Sequence, residues 1–197
     1  MFLRPALLLL VLIAHTYVLL SQNTLQIHVN VSGYELKEKK IGSGTKLKSV
    51  GSIDNAVIKV LHDGKEEFNN NTGSANILLP LGKLYELHVE AEEYFPTGLL
   101  IDTRPGYFPD SVLNFSLSEI NFVLLKQENA RVENQSKIFG DLNYNFSLKI
   151  LELSPVDNLQ EESSAYLSFQ SIQKSIERNK YKISFIEAPN HKTRQIV

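Results

Sequence analysis

The side chains with which this chain could do chemistry are five histidines, a scatter of aspartates and a few glutamates, and their spacing does not draw them to one place. His28 and His88 sit at polar positions of alternating segments, so both are expected to face water; a cross-strand pair of them could hold a metal, but no H-x-H or H-x-x-x-H spacing supports it. His15 lies in an apolar N-terminal stretch, and His62 and His191 stand alone. Asp54, Asp63, Asp102 and Asp110 fall near turns, where aspartate bonds its own backbone. A loop calcium site would need the EF-hand or a repeated Asp/Gly spacing, which is missing. Glu90, Glu92 and Glu93 read as a solvated face; a paired-acid glycosidase needs two carboxylates across one cleft. There is no G-x-S-x-G elbow, and Gly42-Ser43-Gly44-Thr45-Lys46 lacks the strand before and helix after that a phosphate loop requires. No catalytic, cofactor-binding or metal residue is therefore assigned, and no cofactor is expected.

The elements that would position these groups are mostly short strands. Leu25, Ile27, Val29 and Val31 share one face of a strand over 24–31. The lysine- and glycine-rich stretch Glu35 to Gly51 reads as a loop or a frayed hairpin. Ala56 to Leu61 is the second strand, and Asp63-Gly64 is a hairpin turn because both central positions need positive φ. Lys65 to Phe68 returns, and Asn69 to Ser74 turns again. Ala75–Leu79 and Leu84–Ala91 are expected to form the next hairpin, the latter with Tyr85, Leu87, Val89 and Ala91 on its buried face. A short strand follows over Gly98–Asp102 and a longer one over Val112–Leu125, with Leu113, Phe115, Leu117 and Ile120 inward. Regular short strands with turn signals argue for a sandwich.

After Lys126 the pattern changes. Residues 127–140 read as a linker and 141–197 as a small α/β annex. Leu148–Leu153 is a strand, Asn158 with Glu161 can cap a helix, and Tyr166, Phe169, Ile172 and Ile176 share one helical face. Asn179 suits the helix end. Tyr181–Ile186 is a second strand, expected to pair in parallel with the first through a right-handed crossover.

The run Asn55-Ala56-Val57-Ile58-Lys59-Val60, with Pro80, Gly82, Tyr85, Leu87, Val89, Ala91 and Tyr94 downstream, resembles the carboxypeptidase regulatory-like domain. Glu93 stands where that pattern has glycine. The resemblance implies a transthyretin-like antiparallel β-sandwich over 22–126, of the kind found in exported proteins of Gram-negative envelopes. The C-terminal unit is faintly similar to the opening of an OmpA-like domain, with Glu162-Ser163 at the start of its helix. Asn190-His191-Lys192-Thr193 departs from that family's Gly-His-Thr-Asp run, so no ligand-binding residue is carried over.

Composition and the N-terminus bear on compartment. Arg4, the apolar run Ala6–Ala14 and the small residue Ser21 form the pattern of a secretory signal peptide over 1–21, cut before Gln22; the alternative is an uncleaved anchor. The chain has 197 residues, 43% hydrophobic content and a formal net charge of −2, which gives no basic surface for nucleic acid. Zero cysteines exclude disulfides and thiolate chemistry, and lean towards a bacterial envelope protein. Asn30, Asn70, Asn114, Asn134 and Asn145 each open an N-x-S/T sequon, which points instead to a eukaryotic secreted chain. The expected function is a non-enzymatic exported envelope or surface protein, periplasmic, outer-membrane-associated or extracellular. It would act as a binding or structural module among other envelope or surface proteins. The alternatives are a peptidoglycan-associated protein with a degenerate OmpA-like end and a secreted hydrolase with a site assembled from scattered residues.

Overall fold

Period-two alternation of apolar and polar side chains gives each strand one dry face, and two sheets bury those faces against each other. The computed structural model describes residues 24–39, 45–104, 114–127, 138–145, 150–156, 159 and 163–179. The first sheet contains β1 (Thr24–Glu38), β2 (Thr45–Ser52), β5 (Ser74–Pro80) and β8 (Asn114–Leu125). The second runs in the order β10 (Ile150–Pro155), β9 (Ile138–Asn145), β7 (Thr97–Asp102), β6 (Leu84–Glu90), β3 (Val57–His62), β4 (Lys65–Asn70). One helix, α1 (Ser164–Asn179), follows the strands. The protein is mainly β, a two-sheet sandwich with a small strand-and-helix part at its C-terminal end, as the strand pattern led us to expect.

The core takes Leu25, Ile27 and Val29 from β1, Ile77 and Leu79 from β5, and Ile120, Phe122 and Leu124 from β8. Facing them are Ile58 and Val60, Tyr85, Leu87 and Val89, Leu99 and Ile101. Each such side chain contributes roughly 1.5–3 kcal/mol on full burial. Phe122 and Phe139 meet edge to face at 5.8 Å between the two sheets.

β1 is much longer than its apolar alternation. Thr24–Asn30 pairs antiparallel with β5 and Ser32–Glu38 with β2, while β8 runs parallel along the opposite edge. The lysine-rich stretch thus supplies residues of both paired strands, Glu35–Glu38 of β1 and Thr45–Gly51 of β2.

One expected pairing is corrected. β5 and β6 do not form a hairpin: β5 pairs with β1 in the first sheet, and β6 pairs with β3 and β7 in the second. The connection arches over the end of the sandwich, so both strands aim their apolar faces at the same interior. The arch is held by the Tyr85 hydroxyl donating to the Pro80 carbonyl at 2.7 Å, and by the Gly82 amide donating to Thr103 O at 2.8 Å.

Two bends depend on left-handed backbone. Asp63 and Gly64 both take positive φ (50° and 72°), as the hairpin between β3 and β4 requires. Gly73 (φ 67°) lies so close to the Ile53 carbonyl that an added Cβ would sit 1.8 Å from its oxygen. Glu93, which replaces a glycine of the resembled pattern, makes its bend all the same, with φ 67°.

The C-terminal elements share the sandwich core. β9 begins at Ile138, within the stretch read as linker, and joins the second sheet parallel to β7. β10 pairs antiparallel with β9. Residues 181–186, read as the closing strand of a crossover, lie outside the described residues, as do Leu113, Asn158 and Glu161. The helix cap is Ser163, whose Oγ accepts from the Tyr166 amide at 3.0 Å.

α1 has two working stripes. Ala165, Ile172 and Ile176 enter the core, with Phe169 packed against it; Tyr166, expected on that stripe, is outside the core cluster and accepts from Gln170 Nε2 through its hydroxyl. Ser164, Ser168, Ser171 and Ser175, spaced four, three and four residues apart, lie along the open edge of β8. Ser164 Oγ accepts from the Leu125 amide at 2.8 Å. Ser168 Oγ accepts from the Val123 amide at 2.9 Å and donates to the Val123 carbonyl at 3.0 Å. Ser171 accepts from Asn121 Nδ2 at 3.4 Å, and Ser175 donates to the Glu119 carbonyl at 2.6 Å. Eleven helical residues span about 16 Å and six strand residues about 20 Å, so the two repeats stay nearly in step. The helix satisfies a strand edge that would otherwise invite another chain.

Candidate functional site

β2 and the second half of β1 form a two-stranded ribbon. A bulge marks its base: Gly33 pairs with Gly51 and Tyr34 with Ser49, which leaves Val50 as the extra residue and Gly51 at φ 106°. The pairing of β8 with β1 ends at Tyr34–Leu125, so beyond Tyr34 the ribbon is two strands wide. Residues 46–52 are all exposed, including Leu47 (37%) and Val50 (50%). Lys37 and Lys48 lie 2.9 and 3.6 Å from Glu35. The hydrogen bond from Lys37 holds the Glu35 carboxyl below its ordinary range, but an exposed pair of this kind adds little stability. β1 is the only described strand paired with β2. The ribbon therefore offers a free backbone edge and apolar side chains interleaved with lysines, and both are means of binding another chain.

The residues weighed for chemistry are dispersed. His28 is on β1 and its Nδ1 donates to Asn76 Oδ1 at 2.8 Å, whereas His88 is on β6 in the other sheet, 3.0 Å from Glu86. They do not form a pair. His62 contacts the Leu84 carbonyl at 3.0 Å and the Tyr85 ring at 5.6 Å. Asp54 and Asp63 are exposed turn residues, and Asp110 lies outside the described residues. Glu90 bonds Lys59, and Glu93 lies 3.7 Å from Lys126. Lys46 sits in strand β2 and opens no helix. Among the described residues no group of three or more His, Cys, Asp or Glu could hold a metal ion. Asn30 and Asn70, the two sequon asparagines with described side chains, accept from Ser74 and from Thr72 respectively.

Sequence reasoning missed one electrostatic cluster. Asp102 is 3% exposed; its Oδ1 accepts from the Arg104 amide at 3.1 Å and its Oδ2 from Arg104 Nη2 at 2.6 Å. The Arg104 hydrogen bond holds its carboxyl below the ordinary range. Asp141 is pushed the other way, by burial first and then by the charge of Asp102, and its Oδ1 is buried without a partner. Asp141 stands opposite Leu100, past a bulge at the start of β9 where the register shifts between Gly98–Ile138 and Leu100–Asp141. A bulge leaves no mark in apolar alternation. Asp102 is turned to the backbone and guanidinium of its own turn, which is local bracing of the kind expected of a turn aspartate.

Among the described residues, no helix is long and apolar enough to cross a membrane; residues 1–23 lie outside them. In comparison with known proteins, no family model, no curated protein and no solved structure matches the chain.

Proposed function

We propose that this chain is a non-enzymatic exported module of the cell envelope or surface, and that it enters a protein assembly through the β1–β2 ribbon. The ribbon carries this reading: it is an ordered, two-stranded projection with a free edge, exposing Leu47 and Val50 beside Lys46 and Lys48. Its partner has an acidic surface with apolar ground, because lysines flank the exposed aliphatic side chains. Export is supported by the charge and apolar run of residues 1–21. A transthyretin-like module is supported by Pro80, Gly82 and Tyr85 at the arch between β5 and β6, and by Glu93 holding a glycine-type bend.

A photo-crosslinking residue in place of Leu47 or Val50, in intact producing cells, tests this, with exposed Leu78 on β5 as the control position. We expect both ribbon positions to capture the same protein, Leu78 not to, and Lys46→Glu with Lys48→Glu to reduce the yield. Equal capture at Leu78, or none at the ribbon, rejects the docking role. Co-sedimentation of the purified chain with cell wall would favour the peptidoglycan-associated alternative.

A further inference from the structure

A groove of about 520 Å³ lies between α1 and the outer face of the first sheet, within the roughly 300–1,000 Å³ typical of small-molecule sites. β1 and β8 form its floor and α1 its wall. α1 runs antiparallel to β8, with Ser164 at Leu125 and Ser175 at Glu119, so the lining changes along the groove. At one end are Glu119, Lys174 and Arg178. The middle has the amides Asn30, Asn121 and Gln170. The other end has Tyr34, Val123 and Leu167.

Three observations point to a ligand. Lys174 and Arg178, one helical turn apart, make no ion pair with any described residue. Ser74 takes Asn30 Oδ1 and Tyr166 takes Gln170 Nε2, which leaves a donor NH₂ on the floor and an acceptor oxygen on the wall without a described partner. Glu119 has φ 65°, at a bulge in β8 where the register jumps from Ile27–Leu117 to Val29–Ile120. A left-handed glutamate at the mouth of a groove is the kind of strain found at binding sites.

We propose that the groove binds an acidic saccharide. The sugar carboxylate lies on Lys174 and Arg178. Its hydroxyl and acetamido groups, each needing both donors and acceptors, meet the Asn30 NH₂ and the Gln170 oxygen, between which Asn121 is held by Ser32 and Ser171. Tyr34 covers the apolar face of a ring. Glu119 keeps the net charge of that end at one positive, which suits a single carboxylate better than a polyanion.

The test uses isothermal titration of the full chain with a disaccharide of glucuronic acid and N-acetylglucosamine, and with N,N′-diacetylchitobiose as its uncharged counterpart. Binding of the acidic sugar should saturate, the neutral sugar should bind at least about tenfold more weakly, and Lys174→Gln with Arg178→Gln should erase that preference. Both substitutions are on the helix surface, and an unchanged thermal midpoint shows that the fold is intact. NMR shifts should centre on Asn30, Asn121 and Gln170. Absence of saturation, equal affinity for the neutral sugar, or wild-type binding by the double variant overturns the proposal. If the double variant melts early, Tyr34→Ala serves in its place; unchanged binding of the acidic sugar by that variant overturns the proposal equally.

Discussion

Glu93 sits in the left-handed region, where a Cβ crowds the backbone and glycine does not. Its exposed pairing with Lys126 returns little. Glu93→Gly should therefore stabilise the fold by about 0.5–1 kcal/mol, after allowing for the greater freedom of glycine in the unfolded chain; urea unfolding reads this directly. The two aspartates behave oppositely with pH. Asp102 is held below its ordinary range in the folded state, so its contribution is complete above the ordinary carboxylate range and is lost as pH falls through the depressed value. Asp141 is held above its ordinary range, so its contribution falls as pH rises from that range through the raised value. Asp102→Asn should lower the thermal midpoint at neutral pH, with the loss shrinking in acid. Asp141→Asn should raise it at neutral pH, with the gain shrinking in acid. Melts at a series of pH values check both, and a same-sign response from the two variants would contradict the assignment.

At the scale of elements, the serine stripe of α1 is the least ordinary contact. Ser168 satisfies both the amide and the carbonyl of Val123 in a buried place. Ser168→Ala leaves both unpaired and should cost about 1–3 kcal/mol. Amide exchange at Val123 should accelerate more than at Leu125, which keeps Ser164; equal acceleration would mean general loosening. The sequence made some of these elements plain and hid others. β3–β4 was legible because Asp63-Gly64 fixes the turn and the first pairs, His62–Lys65 and Leu61–Glu66; the shift after Leu61 was not. The core positions Leu25, Ile27, Tyr85, Leu87 and Ile120 were legible because alternation marks them. The separation of β5 from β6 was not, because a strand's dry face does not say which sheet it belongs to. The second half of β1 was hidden because Tyr34 and Leu36 are its only large apolar side chains and both are no more than half-buried. The apolar stripe of α1 stood out, while its serines did not, because their partners, three backbone groups and the Asn121 amide, lie 39 to 56 residues away. Their four-three-four spacing was the available signal.

For the whole molecule, α1 is both lid and edge cover. A chain ending after Val156 would keep both sheets but uncover β8 and remove Ile172 and Ile176 from the core. We expect it to associate through the β8 edge, giving oligomers in light scattering where the full chain is a smaller species. An unchanged mass would show that the edge is guarded by something other than α1.

β1 has a further consequence, in time. Its first turn partner, β2, follows at once, but β5 pairs with it only after residue 74 and β8 only after residue 114. A central strand whose neighbours are so distant gives a high contact order, and such chains fold in milliseconds to seconds. The chain emerging during synthesis cannot close its interior until β8 arrives, and β8 in turn has a bare edge until the serines of α1 reach it. Assembly is therefore late and nearly simultaneous, a schedule that keeps the polypeptide threadable for most of its synthesis.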